Sequence, residues 1–483
     1  MPLVLVVVGN HLIDVMEKFR RESDTMGEVE IPADALYGAS TQRAVLNFQI
    51  SNERVSQDII KAYGLIKWAA ADTNAKLGII SESKSKYIKI AAEEIFNGEH
   101  YEHFPVDLYQ TGSGTSTNMN VNEVISNRCV QLAQENGEDF FEIHPNDDVN
   151  QSQSSNDTFP TAIHISALLA AKSLLLPELI SFKKCLKEKA LEMSSVIKIG
   201  RTHLMDATPI TLGSEFDGFA RQIELSIQRI DNSIINLHEL ALGGTAVGNG
   251  LNSSKEFAIE TIKFISQKTG INFIEAKNHF EAQSSKDALV EFHGQINTVN
   301  VSLFKIANDI RLLGSGPLCN IGEIILPPTQ PGSSIMPGKV NPVIPESVTM
   351  VAARVFGNQT SITWAGANGH LQLNAFMPIM AKCILESIYL TTNAIKALSD
   401  KCITGIKANE SRCNFYLDKS LAMATALAPI IGYDLASEIA KKSLLGGESV
   451  YKVCIGMLEE IKRVSPDLDK TKIKQILNPR NMI

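Results

Sequence analysis

The chain has 483 residues, 44% of them apolar and 20% charged, a composition ordinary for a globular protein large enough to hold two or three domains. Its formal net charge of -8 gives no basic field for nucleic acid, and no run of about 18 apolar residues marks a membrane span, so neither partner is expected. The seven cysteines (Cys129, Cys185, Cys319, Cys383, Cys402, Cys413 and Cys454) are odd in number, scattered and without a CxxC pair, which favours free thiols in a reducing compartment. No His/Cys/Asp cluster at ligand spacing stands out, so no metal is expected.

Met1 to Val8 are apolar but lack a basic leader and a small-residue cleavage site, so residues 1–18 read as a loose extension rather than a targeting segment. Residues 19–50 read as loop with short strands, and 55–97 as helical, broken by Gly78 and Gly98. Thr111-Gly112-Ser113-Gly114-Thr115 then feeds the amphipathic segment Val121 to Leu132. Small hydroxyl residues in this position can cap a helix and turn hydroxyls and N–H groups toward an anion; a plain cap is the simpler alternative. The polar block from His144 to Pro160 ends with Ser154, Ser155 and Asn156 just ahead of a long helical pattern.

Long segments with apolar seams at threes, fours and sevens follow, around Ile165 to Leu186, Phe216 to Leu237, Ile296 to Leu313, Val348 to Phe356 and Phe376 to Leu398. They predict an all-α bundle of long helices. Gly200 to Pro209, which carries Thr202 and His203, and Gly243 to Asn252 read as loops between helices. After residue 408 the helices shorten. The expected division is 1–152, a central bundle over 153–408, and a small C-terminal domain over 409–483.

Gly332-Ser333-Ser334-Ile335-Met336-Pro337-Gly338-Lys339-Val340-Asn341-Pro342 must be a loop, since two glycines and two prolines in eleven residues exclude regular structure. Its hydroxyls, ammonium and carboxamide, with glycines that let backbone N–H groups approach a ligand, suit an anion that gains charge during a reaction. Together with 111–120, 152–157 and 201–206 it makes four polar loops on a helical bundle, with chemistry suited to a small dianion and proton transfer.

Thr111 to Thr115, the 144–160 block, Gly200 to Pro209, Gly243 to Asn252, Lys305 to Arg311, the serine loop and Gly432-Tyr433-Asp434, in this order along the chain, resemble the fumarase/aspartase superfamily and its class II fumarases, from about residue 19 to the C-terminus. The resemblance implies an all-α, three-domain subunit and a homotetramer whose central helices form one bundle, with each active site shared between subunits. It also implies cofactor-free, reversible hydration of fumarate to (S)-malate in the tricarboxylic acid cycle, in the cytoplasm or alternatively the mitochondrial matrix. Ser333 matches the family's catalytic base, His203 the histidine that works through water at the C2 hydroxyl, and Glu346 its carboxylate partner. Ser113, Gly114, Thr115, Ser154, Ser155, Asn156, Thr202, Ser334, Lys339, Val340 and Asn341 match substrate-binding positions. His144, Pro145, Asn146 and Asp147 match a second dicarboxylate site.

The chain departs from the family pattern at Phe140-Phe141-Glu142, where relatives are often basic, and at Gln151, Met205, Gln372 and Pro327 to Gln330. Aspartase, which typically carries Gln where His203 stands, and an inactive structural relative are the alternatives.

Overall fold

A computed structural model describes residues 7–8, 11–12, 19–138 and 141–483. Of the expected loose extension, only the antiparallel pairing of Val7–Val8 with His11–Leu12 falls within these residues; the rest of 1–18 and Phe140 lie outside them. In chain order, β1 (Phe19–Asp24) and β2 (Gly27–Pro32) form a hairpin, followed by α1 (Ala39–Asn47), α2 (Gln57–Lys76), α3 (Glu82–Asn97), α4 (Thr115–Glu135), α5 (Ser155–Ala170) and α6 (Leu176–Glu192). A second hairpin, β3 (Ile197–Thr202) and β4 (Met205–Thr211), leads into α7 (Leu212–Ser233), α8 (Lys255–Thr269), α9 (His279–Ser284) and α10 (Asp287–Leu313). Then come β5 (Ile324–Ile325), α11 (Val343–Ala367), α12 (Met377–Lys401), β6 (Lys407–Ala408), which pairs with β5, and short helices from α13 (Glu410–Lys419) onward. The chain is 64% helical, and every ladder among the described residues has two strands, so the fold is all-α as expected.

The chain divides into two compact units, the first built from residues 1–174, 230–296 and 355–389, the second from 175–229, 297–354 and 390–483. In the first unit, α2 starts on Ser56 and α3 on Ser81, hydroxyl caps for otherwise unpaired N–H groups, and α3 ends on left-handed Gly98. Their backbones approach so closely that a Cβ on Gly64 would lie 2.6 Å from the Phe96 nitrogen, and Ala69, Ala70, Ala91 and Ala92 are buried without exposure. In the second unit, the short helices after residue 410 share one core around Leu427, Ile439, Cys454, Ile461 and Ile473, and Ile199 of β3 belongs to it.

Two sequence readings change. Residues 197–211 are a β-hairpin, not an interhelical loop, because Ile197 and Ile199 alternate with polar residues and pair across to Thr211 and Pro209. The helix expected after Pro160 begins at Ser155, with Pro160 inside it; the missing Pro160 N–H leaves the Asn156 carbonyl without its helical donor. Ser155–Glu192 also runs on through a wider turn at Ala171–Leu175, and by length and composition alone this helix could cross a bilayer; 56% of its most apolar window is buried inside the protein.

In the first unit, His293 of α10 is fully buried between the Gln359 carboxamide oxygen at 2.7 Å and the Ser387 hydroxyl at 2.8 Å, and burial pushes its imidazole down to about 4. The unfolded chain takes up that proton near pH 6.5, so folding stability is intact above about 6.5 and falls as pH drops toward 4, by on the order of 3 kcal/mol for this group. Denaturant unfolding measured from pH 7.5 to 4 should show the loss, and His293→Gln should flatten it. Parallel curves for the two proteins would remove His293 from the account.

Candidate active site

The serine loop closes on itself. The Gly332 N–H donates to the Lys339 carbonyl at 3.0 Å, and the Asn341 carboxamide donates to the Gly332 carbonyl at 2.6 Å. A Cβ on residue 332 would sit 2.2 Å from the Lys339 oxygen, so this closure requires glycine. Inside the loop, Ser333 Oγ accepts from the Ile335 N–H at 3.2 Å and the Met336 N–H at 3.1 Å. Two fixed donors aimed at a hydroxyl oxygen favour its anionic form over its neutral one. Ser334, Lys339 and Val340 are exposed, and Lys339 and Asn341 border an open cavity of about 1040 Å³ with Arg311, Arg412 and Phe415. Helix α11 begins at Val343, which puts Glu346 in its first turn.

The β3–β4 hairpin carries Thr202 and His203 at its tip. The two turn residues, His203 and Leu204, have φ of 56° and 60°. Such a turn matches the strand twist but ordinarily takes Asn-Gly, and left-handed backbone costs a side-chain-bearing residue about 1–2 kcal/mol. His203 stands exposed at this tip. Along β3, Lys198 near the root and Arg201 near the tip both pair with Glu323, at 3.1 and 2.9 Å, and Lys198 also pairs with Glu215 at 2.9 Å. Lys198 and Glu323 are fully buried. Glu323 is pinned further, its N–H to the Leu313 carbonyl and its carbonyl to the Asn409 N–H, both at 2.9 Å. One carboxylate thus anchors the hairpin that bears His203 and the strand that leads to Ser333. Within this unit, His203 shares no hydrogen bond with Ser333 or Glu346 among the described residues.

The first unit holds a hydroxyl shelf. Ser113 and Thr115 Oγ atoms lie 2.9 Å apart, and Thr115 and Ser155 Oγ atoms 2.8 Å apart, across the starts of α4 and α5. Gly114 caps α4 at φ 75°, where a Cβ would lie 1.9 Å from the Phe159 ring. Ser154 caps α5 in a reciprocal box with Asp157, whose other oxygen accepts from the Gly243 and Thr245 N–H groups. The Asn156 carboxamide donates to the Ala246 carbonyl at 2.8 Å, so the Gly243 to Asn252 loop braces the shelf. His144 caps the turn Pro145–Val149: its Nδ1 accepts from the Asn146 and Asp147 N–H groups, and His144, Asn146 and Asp147 stand exposed.

Glu323 and Lys67, a buried lysine behind the shelf, escape sequence reading because a charged residue inside an element gives no signal of what it faces. The sequence reading also passed over His100, Glu102 and His103, whose ligand-type atoms lie within 4.8 Å of one another. His103 Nδ1 accepts from the Leu36 N–H at 3.3 Å, which places that ring's proton on Nε2 and occupies its lone pair, a poor arrangement for a metal ligand.

A family profile described as lyase matches residues 27–357, and one described as the fumarase C C-terminus matches residues 423–483. A "fumarate hydratase class II" of Corynebacterium efficiens is 49% identical over 457 residues, covering 94% of this chain and 95% of that protein. The chain belongs to the class II fumarases. A mitochondrial fumarate hydratase of Rhizopus oryzae is 47% identical over 444 residues, covering 92% and 90%. The crystal structure of the class II fumarase from Schistosoma mansoni superimposes with a TM-score of 0.91 at 37% identity, covering 96% of this chain and 99% of that one.

In this class II fumarase chain, removing the shared carboxylate takes one of two carboxylate partners from the buried Lys198 and breaks the ion pair of Arg201. Glu323→Ala should lower folding stability by about 3–5 kcal/mol. Chemical denaturation reads the change directly; a loss under about 1 kcal/mol would mean that the network bears no structural load.

Proposed function

We propose that the protein is a hydro-lyase that interconverts fumarate and (S)-malate. The observation that carries the reading is the pair of backbone N–H groups on Ser333 Oγ, in a loop that also presents Lys339. Removing the C3 proton of malate makes a weak carbon acid give up charge to its carboxylate, so catalysis needs a base and donors for the growing anion. Ser333, its alkoxide stabilised by the Ile335 and Met336 N–H groups, is the base. Lys339, Asn341 and Ser334 hold the carboxylate that gains charge. Ser113, Gly114, Thr115, Ser154, Ser155, Asn156, Thr202 and Val340 complete the dicarboxylate site. His203, paired with Glu346, relays the proton to the departing C2 hydroxyl through water.

These groups belong to one pocket when several chains contribute to it, and the active oligomer is a homotetramer. Two features support this. The cavity beside Lys339 and Asn341 is several times larger than a four-carbon diacid and open, so one chain does not enclose the substrate. Large apolar side chains also stand exposed on the long helices, with Val301 at 53%, Met350 at 67% and Trp364 at 70% exposure. The three-domain division and a cytoplasmic location follow the same reading, with the mitochondrial matrix as the alternative. So does a second dicarboxylate site at His144 to Asp147, weakened because the neighbouring Glu142 repels anions.

The purified protein mixed with malate should raise the ultraviolet absorbance of fumarate, and aspartate should release no ammonia. Ser333→Ala should lower kcat/KM by about 10³-fold or more with the oligomer intact, and His203→Asn should lower kcat while leaving carboxylate binding in place. Ammonia from aspartate would assign the chain to the aspartases instead. Wild-type turnover in Ser333→Ala would remove the serine from its role.

A further inference from the structure

Behind the hydroxyl shelf, the side chain of Lys67 on α2 is completely buried. Its Nζ donates to three carboxamide oxygens, those of Asn118, Asn150 and Gln153, each at 3.0 Å. The carboxamide orientations are fixed independently of the lysine. The Asn118 amide donates to Asn150 Oδ1, the Asn150 amide to the Gln153 carbonyl, and the Gln153 amide to the Val149 and Gln151 carbonyls. Each oxygen therefore has to face Nζ. Three acceptors require three N–H donors, which an ammonium has and a neutral amine lacks. Burial pushes Lys67 down to about 7, and the buried carboxylate of Asp157 works against that shift.

The three acceptors sit on the two segments that carry the shelf. Asn118 lies one turn into α4, after Ser113 and Thr115, and its N–H closes on the Gly114 carbonyl. Asn150 and Gln153 form the turn that delivers Ser154 and Ser155 to the start of α5, and Thr158 Oγ1 also reaches Asn118 Oδ1, at 3.4 Å. The shelf's own cross-link, from Thr115 to Ser155, joins the same two segments. Lys84 also donates to Asp148 on the second segment, at 2.6 Å, but makes no hydrogen bond to α4 among the described residues, so Lys67 is the cation that bridges the two.

We infer that Lys67 is a positioning residue for substrate binding: its ammonium clamps the start of α4 to the turn before α5, setting the register of Ser113, Thr115 and Ser155 and placing a buried positive charge behind the site of a dianion. The inference rests on the reading of the shelf as the dicarboxylate-binding half of the active site. Lys67 touches neither substrate nor the reacting atoms. Its loss therefore acts on binding, while the serine loop and the His203 hairpin, which belong to the other unit, keep their chemistry.

The test compares Lys67→Gln and Lys67→Met in the intact oligomer, with size and thermal midpoint as controls, by KM and kcat for malate and fumarate. Lys67→Met should raise KM by about 10-fold or more with kcat within about 3-fold, and Lys67→Gln, which keeps two donors, should fall between it and the wild type. A role in packing alone predicts the reverse order, because Met matches the length and apolar bulk of the buried lysine stem more closely than Gln does. Gln153→Met leaves Lys67 in place and removes one acceptor; it should shift KM in the same direction by about 3-fold, and it decides the matter if the lysine variants do not fold. An unchanged KM across the folded variants, or Met milder than Gln, would overturn the proposal. A wild-type protein without turnover on malate would instead sink the hydro-lyase reading, and calorimetric binding of succinate would then report the same ordering or refute it.

Discussion

The reactivity assigned to this chain depends on how one oxygen is solvated. A serine hydroxyl in water is too weak a base to take a proton from carbon, and only a local field that prefers its anion changes that. Here the Ile335 and Met336 N–H groups point at Ser333 Oγ from within the same short loop. They stay there because Gly332 and Asn341 close the loop's neck, and the Gly332 backbone passes where a side chain would collide with the Lys339 carbonyl. The loop thus supplies both donors to its own basic oxygen from within itself.

The remaining chemistry is spread over elements that fold for other reasons. The imidazole stands at the tip of a strained hairpin, and its position is only as good as the hairpin's anchor. That anchor is a buried carboxylate shared by Lys198 and Arg201, on the stretch that leads to the serine loop. The hydroxyl shelf is made where two helices begin, so its donors are the unpaired N–H groups and capping hydroxyls that any helix start must place somewhere. In both cases an ionic group buried behind the site, Glu323 or Lys67, fixes what the surface presents. Burying such charges is costly unless every lone pair and proton finds a partner. Lys67 meets that condition with three oxygens, whereas Glu323 meets it at only one oxygen, which takes two cations, and leaves the other without a partner.

The legible parts of the sequence were those with a period or a forbidden conformation. The long seams gave the helices, and two glycines with two prolines excluded anything but a loop at 332–342. The residue types at 111–115 and 154–156 marked helix starts that could hold an anion. The hairpin at 197–211 was not legible, since Gly200 and Pro209 carry the same turn signal in a loop as in a bulged ladder, and only the pairing partner distinguishes them. Pro160 reads as a helix boundary, although the cap lies six residues earlier, where Ser154 and Asp157 satisfy the box. Lys67 sits in an unremarkable helical stretch, and its role depends on three carboxamides about 50 to 86 residues away.

On the proposed reading, the serine loop of one chain works with the imidazole of another. Mixing subunits tests it directly. Ser333→Ala and His203→Asn oligomers, each nearly inactive, are denatured together, refolded and assayed on malate. If the two groups come from different chains, random mixing rebuilds intact pockets and restores roughly a quarter of wild-type activity. A mixture no more active than its parents would place both groups in one chain and contradict the account.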